Sequence, residues 1–95
     1  MKKILIADDE MPIIMVLRAI LEAEYEVTEV RSGDELIEAA AAEKPDLIVT
    51  DVHMPGISGF EAIEELKKNS DNVDIPVIFI SSMLKEKMEY KQKKV

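Results

Sequence analysis

Hydrophobic residues along this chain fall into two alternating patterns. Short, nearly continuous apolar runs predict strands at about residues 3–7, 25–30, 47–50 and 77–80. Apolar residues at helical spacing predict helices at about residues 11–23, 33–43, 59 onward and 82–95. The predicted order is therefore β-α-β-α-β-α-β-α, which is typical of βαβ units built around a parallel sheet.

Spacing and capping residues indicate where two of the helices begin and which faces turn inward. Ser32 with Glu35, and Ser58 with Glu61, fit the capping-box pattern of a helix N-terminus. The side chains predicted to face inward are Ile13, Leu17, Ile20 and Leu21 in the first helix, Leu36, Ile37 and Ala40 in the second, Phe60, Ile63 and Leu66 in the third, and Leu84, Met88 and Val95 in the last.

The sequences of the strands predict different degrees of burial. The third is apolar along its length, as expected for a strand covered on both faces, whereas the second carries Glu26 and Glu29 and is predicted at an edge. Right-handed crossovers with a reversal after the second strand give a doubly wound sheet of order 2-1-3-4. The first and third strands then lie side by side, and their C-terminal tips carry Asp8, Asp9 and Asp51.

Composition narrows the class of protein. With 95 residues and 47% hydrophobic side chains, the chain is expected to form one packed domain. The absence of cysteine excludes disulfides, thiolate metal sites and thiol nucleophiles. A net charge of −8 argues against a nucleic-acid-binding surface. No apolar segment is long enough to span a membrane, so we expect no membrane partner and a cytoplasmic location.

Three carboxylates at one sheet edge need a counter-charge, because like charges repel unless a cation, a proton or a base neutralises them. Oxygen ligands of this kind suit Mg²⁺, and His53 stands where its backbone carbonyl could add a ligand. An ionised aspartate beside a cation is a competent nucleophile toward phosphorus, which favours Asp51 as an acceptor. Ser81, at the tip of the fourth strand, could bond a phosphoryl oxygen.

Plainer interpretations of the same residues stay open. Asp8 or Asp9 could cap the first helix, Asp51 could cap a loop, and Ser81 could cap the last helix. The side chain of His53 is expected to have no role. A phosphatase of the haloacid dehalogenase type also uses a strand-tip aspartate, but it needs a second aspartate two residues later, where this chain has His53. The convergence of the acidic residues at neighbouring strand tips favours a functional site over separate caps.

The motifs at these tips resemble those of response-regulator receiver domains of two-component signalling. They are ILIADDE at 4–10, PDLIVTDVHMPG at 45–56, Gly59, and PVIFIS at 76–81. The resemblance implies a flavodoxin-like fold and Mg²⁺ held by Asp8, Asp9, Asp51 and the carbonyl of His53. It also implies that Asp51 accepts a phosphoryl group from a histidine kinase or phosphotransfer protein, and that Ser81 follows this group in the conformational switch. Such a chain is expected to be a phosphoacceptor and not an enzyme, with at most Mg²⁺-dependent self-phosphorylation and self-dephosphorylation.

The sequence also departs from that family pattern. A fifth strand and helix, a lysine at the tip of that strand and an aromatic switch residue have no counterpart, and Lys85 and Lys87 match no family position. We therefore expect a truncated receiver domain spanning residues 1–95, with no catalytic lysine. An exposed fourth strand and the last helix are expected to form a homodimer. The alternative is a degenerate or fragment receiver that acts as a non-switching protein-interaction module.

Overall fold

A computed structural model describes residues 1–80 and shows a single four-stranded parallel sheet flanked by helices. The elements are β1 (Lys3–Ala7), α1 (Met11–Leu21), β2 (Glu26–Val30), α2 (Gly33–Glu43), β3 (Leu47–Asp51), α3 (Gly59–Leu66), a 3-10 turn (Ser70–Asn72) and β4 (Val77–Ile80). The strand order is β2-β1-β3-β4, as predicted from the sequence. The predicted last helix and Ser81 lie outside the described residues.

The strand register brings the C-terminal tips of β1, β2 and β3 level with one another. Ala7 lies beside Val30 on one side and beside Thr50 on the other. Backbone hydrogen bonds extend the sheet one residue further, because the Asp8 N–H donates to the Val30 carbonyl over 3.1 Å. Residues that follow β1 and β3 therefore emerge side by side at one edge of the sheet.

Two apolar cores lie on opposite faces of the sheet, as the period-two alternation of a strand requires. The face toward α2 and α3 buries Leu5, Ala7, Leu36, Ala40, Ile48, Met54, Ala62, Ile63 and Leu66. The face toward α1 buries Ile4, Ile6, Ile14 and Val49. Both cores use the central strands β1 and β3, which fixes the position of the strand tips.

The starts of α2 and α3 follow the predicted capping residues, although one capping box is only half formed. Ser58 and Glu61 make both reciprocal bonds, with the Glu61 N–H donating to Ser58 Oγ over 3.1 Å. Ser32 Oγ likewise accepts from the Glu35 N–H over 3.2 Å. The Glu35 carboxylate, however, accepts from the backbone N–H of Arg31 over 2.7 Å. That bond holds the end of β2 against the start of α2.

The predicted inward face of α1 is wrong at Ile20. Ile14 is fully buried, whereas Ile20 is 66% exposed. The two residues are about 120° apart around the helix. Arg18 is the one charged residue in α1, so apolar side chains surround the helix and their spacing does not select a face. Ile14 packs in the core on this face of the sheet together with Leu17 and Leu21, which sets the rotation of the helix. Arg18 then reaches β2, where it pairs with Glu29 over 2.9 Å.

The prediction that Phe60 faces inward is wrong as well. Its side chain is 49% exposed, whereas Ile63 and Leu66 of the same helix are buried as predicted. Phe60 lies in the first turn of α3, and its ring packs against Phe79 of β4 with the ring centroids 4.7 Å apart. Since β4 is the outermost described strand on that side, this aromatic pair lies at the margin of the sheet.

Candidate metal and phosphoryl-acceptor site

The structure brings Asp8, Asp9 and Asp51 together at the C-terminal edge of the sheet. One carboxylate oxygen from each lies within 4.8 Å of the others. Asp8 and Asp51 are only 2% and 4% exposed, whereas Asp9 is exposed. The cluster therefore combines two buried carboxylates with one exposed carboxylate at its rim. The role of these residues as metal ligands stays a prediction.

Backbone hydrogen bonds orient the two buried carboxylates. Asp8 Oδ1 accepts from the Glu10 N–H over 2.8 Å, and Asp51 Oδ1 accepts from the His53 N–H over 3.4 Å. Each bond comes from two residues further along the chain, as in the turns that aspartate favours. The turn after each strand thus fixes the carboxylate in place before any ligand binds.

The connection after β3 requires a glycine where α3 begins. A Cβ atom at Gly59 would overlap the carbonyl oxygen of Asp51. The Gly59 N–H also donates to the Val52 carbonyl over 2.8 Å, and Thr50 Oγ1 donates to the Asp51 carbonyl over 3.0 Å. Thr50 thus holds the Asp51 carbonyl in place, a role that was not predicted from the sequence. The signal in the sequence is a hydroxyl residue that directly precedes the aspartate at the end of an apolar strand.

Burial raises the pKa of both enclosed carboxyl groups. Desolvation raises the pKa of Asp8 from 3.8 to about 6, against the backbone hydrogen bond from Glu10, and the charges of Asp51, Asp9 and Glu10 add to the rise. The pKa of Asp51 is raised in the same way, chiefly by desolvation, with backbone hydrogen bonds from His53 and Val52 opposing it. Negative charge is therefore held here at a cost that a bound cation would remove.

The donor set fits a hard divalent cation. The contributing atoms are carboxylate oxygens, which Mg²⁺ prefers, and two buried ligands with one rim ligand leave room for water. The backbone of His53 belongs to the turn that closes on Asp51, and its carbonyl as a fourth ligand stays a prediction. Ser81, the predicted phosphoryl-contacting residue, lies outside the described residues, as do Lys85 and Lys87.

Replacing Asp8 by Asn is expected to stabilise the metal-free protein at neutral pH. Since the folded pKa of Asp8 is about 6 and its ordinary value is 3.8, ionised Asp8 costs stability above pH 6, and the cost vanishes below 3.8. Asp8→Asn should therefore gain about 1–3 kcal/mol near pH ~7.5 and almost nothing near pH ~4. Denaturant unfolding in the presence of a chelator measures this difference. A less stable variant at the higher pH would contradict the burial cost.

Comparison with known proteins identifies the family to which this arrangement belongs. The sequence matches the response regulator receiver domain over residues 4–95. The chain belongs to this family. The flavodoxin-like fold and the two-component resemblance inferred from the sequence are thereby confirmed.

Curated relatives include both short and long proteins. The chain is 36% identical over 83 residues to the protein PilH of Pseudomonas aeruginosa, covering 86% of this chain and 69% of that protein. It is 40% identical over 82 residues to the phosphate regulon transcriptional regulatory protein PhoB of the same organism, covering 85% of this chain. This chain spans only 36% of the length of PhoB, so the activity of the longer protein does not transfer with the match.

Solved structures show the same fold. The chemotaxis response regulator CheY4 of Vibrio cholerae superposes with a TM-score of 0.76 at 32% identity, covering 83% of this chain and 67% of that one. A chain in the crystal structure of the histidine kinase ThkA in complex with the response regulator protein TrrA superposes with a TM-score of 0.76 at 35% identity, covering 86% and 70%. Within residues 1–80, none of the helices is long and apolar enough to cross a membrane.

Proposed function

We propose that this receiver domain is a cytoplasmic phosphoryl acceptor that takes a phosphoryl group onto Asp51, with Mg²⁺, from a histidine kinase or phosphotransfer protein. The observation that carries the proposal is the convergence of three carboxylate oxygens within 4.8 Å at the tip of β3, where Asp51 ends the strand. Membership of the receiver family supports it. The ThkA–TrrA complex, in which a histidine kinase binds a response regulator protein, supports the kind of partner.

The proposed reaction is a displacement at phosphorus by the Asp51 carboxylate. An oxygen of Asp51 forms the new P–O bond, the P–N bond of the donor phosphohistidine breaks, and its electron pair stays on the imidazole nitrogen. Asp8, Asp9 and Asp51 would hold the metal, which supplies charge neutralisation for the phosphoryl oxygens when bound.

The domain is proposed to act as a stoichiometric acceptor and not as an enzyme with turnover on a separate substrate. Self-phosphorylation from small donors and self-dephosphorylation are the most that the site would perform. Residues 1–80 carry 18 acidic and 7 basic side chains, which supports a protein partner in place of nucleic acid, because phosphate backbones bind basic surfaces.

Labelling by a small phosphodonor tests the proposal. Acetyl phosphate with Mg²⁺ is expected to add one phosphoryl group per chain, and removal of Mg²⁺ by a chelator is expected to abolish the addition. Mobility on a phosphate-binding gel and intact mass both report the label. Failure to label under conditions that modify a complete receiver domain would contradict the proposal and would favour a non-switching interaction module.

We also propose that the domain forms a homodimer through β4 together with the last helix. Among residues 1–80, β4 pairs only with β3, and its residues Ile78 and Phe79 are 51% and 40% exposed. An apolar strand edge with unpaired backbone groups is a template for pairing with another chain. The last helix, at residues 82–95, lies outside the described residues and enters from its sequence alone.

Analytical ultracentrifugation at micromolar concentration tests the dimer. The wild-type protein is expected to sediment as a dimer, and Ile78→Lys is expected to shift it to a monomer, because a charge on an exposed strand blocks edge pairing. Glu64→Lys, on the exposed side of α3, is the control and should leave the dimer intact. A stable wild-type monomer at these concentrations would contradict the proposal.

A further inference from the structure

Positive charge is distributed very unevenly around the described part of the molecule. Five of the seven basic residues in residues 1–80 lie where strands begin or helices end, away from the acidic cluster: Lys2, Lys3, Lys44, Lys67 and Lys68. Arg18 lies within α1 and pairs with Glu22 and Glu29. Arg31 follows β2 directly, so it alone among these residues lies at the same sheet edge as the carboxylates.

The sheet places Arg31 next to the acidic residues that follow β1, Asp8 to Glu10. Because Ala7 lies beside Val30 and the Asp8 N–H donates to the carbonyl of Val30, Arg31 lies beside Asp8, one residue before Asp9. The Arg31 side chain uses this position, and its Nη2 atom donates to the backbone carbonyl of Asp9 over 3.5 Å. The backbone N–H of Arg31 is held by the Glu35 carboxylate over 2.7 Å, so the base of the side chain is fixed as well.

A guanidinium in this place has consequences of opposite sign for cations and anions. It is permanently charged and carries five N–H donors, so one contact with Asp9 leaves others available. Positive charge beside the cluster repels a divalent cation and attracts an anionic phosphoryl group. If Arg31 only held the backbone at Asp9 in place, its loss would weaken the binding of Mg²⁺ and the binding of the phosphoryl group alike.

We propose that Arg31 is a positioning residue that sets the charge balance of the Asp51 site, weakening Mg²⁺ binding while strengthening the binding of the phosphoryl group. The inference rests on the proposed function of that site. The inference adds a positively charged guanidinium to the proposed site. This group comes from the end of β2, beyond β1, and contacts the carbonyl of Asp9. Arg31 is exposed, and it acts on the site through its charge and through its contact with the Asp9 carbonyl.

The test compares two affinities in three variants. Arg31→Gln removes the charge, Arg31→Lys keeps it without the planar fork, and Lys68→Gln makes the same change of charge at the far end of α3. Calorimetric titration gives the Mg²⁺ affinity, and titration with beryllium fluoride at saturating Mg²⁺ gives the affinity for a phosphoryl analogue. Arg31→Gln is expected to bind Mg²⁺ about two- to threefold more tightly and beryllium fluoride about threefold more weakly, with both changes smaller at high salt.

Arg31→Lys and Lys68→Gln are both expected to stay close to wild type in the two titrations. If Arg31→Gln bound both Mg²⁺ and beryllium fluoride more weakly, Arg31 would have only a structural role, and the inference would be overturned. Unchanged binding of both ligands would overturn it as well. If the wild-type protein itself failed to bind Mg²⁺, the proposed metal site would be wrong, and this inference would fall with it. A normal wild-type titration with an unresponsive Arg31→Gln variant would overturn the inference alone.

Discussion

Asp51→Asn is expected to abolish phosphorylation of this domain by small phosphodonors. The amide keeps the size of the side chain and its Oδ1 acceptor for the His53 N–H, but it cannot act as an anionic nucleophile. The buried carboxyl also carries a charge whose removal relieves desolvation, since burial raises the pKa of Asp51. The variant should therefore fold at least as stably as wild type while giving no label in acetyl phosphate and Mg²⁺.

The matched control for this experiment is Asp74→Asn, an exposed aspartate that precedes β4 at the opposite end of the sheet. It should label as wild type does. Equal labelling of Asp51→Asn and wild type would show that another residue carries the phosphoryl group. Because circular dichroism can establish that both variants are folded, loss of label can be assigned to the missing carboxylate.

Asp9→Ala is expected to weaken Mg²⁺ binding by about tenfold or more, since it removes one of the three converging carboxylates and one unit of negative charge. Asp9 is the informative member of the cluster, because it is exposed while Asp8 and Asp51 are buried. Its truncation creates no cavity, so the variant should keep its stability. Loss of Mg²⁺-dependent chemical-shift changes measures the effect.

Glu10→Gln provides the control for Asp9→Ala. It removes the same charge from the next residue, whose side chain is not among the three converging carboxylates. Its effect on Mg²⁺ affinity should be only about twofold, because the Glu10 charge lies near the cluster but supplies none of the converging oxygens. If the two variants weakened Mg²⁺ binding equally, the effect would be one of general charge, and Asp9 would not be a ligand.

The acidic cluster was predictable from sequence because its geometry follows from topology. Apolar runs located β1 and β3, and the handedness rule placed them side by side, so residues that follow them had to share an edge. The depth of burial was not predictable in the same way. Asp8 is 2% exposed, and burial of this kind depends on tertiary packing, which local sequence patterns do not describe.

Errors in the sequence predictions arose where a local pattern permitted more than one answer. Apolar side chains surround α1, so the choice between Ile14 and Ile20 as the inward residue depends on packing against the sheet, where Ile14 joins Leu17 and Leu21. Phe60 has the spacing of a core residue but lies at the margin of the sheet beside Phe79. The contact of Arg31 with Asp9 joins residues 22 positions apart and needs the strand register before it can be seen.

The central claim, that Asp51 receives the phosphoryl group at a Mg²⁺ site, is tested most directly by locating the label. The protein is treated with acetyl phosphate in Mg²⁺, the acyl phosphate is reduced with borohydride, and the modified peptide is sequenced by mass spectrometry. We expect a single modified residue, Asp51, and no modification when Mg²⁺ is removed beforehand. Modification at Asp8, Asp9 or any other side chain, or equal modification of Asp51 without Mg²⁺, would contradict it.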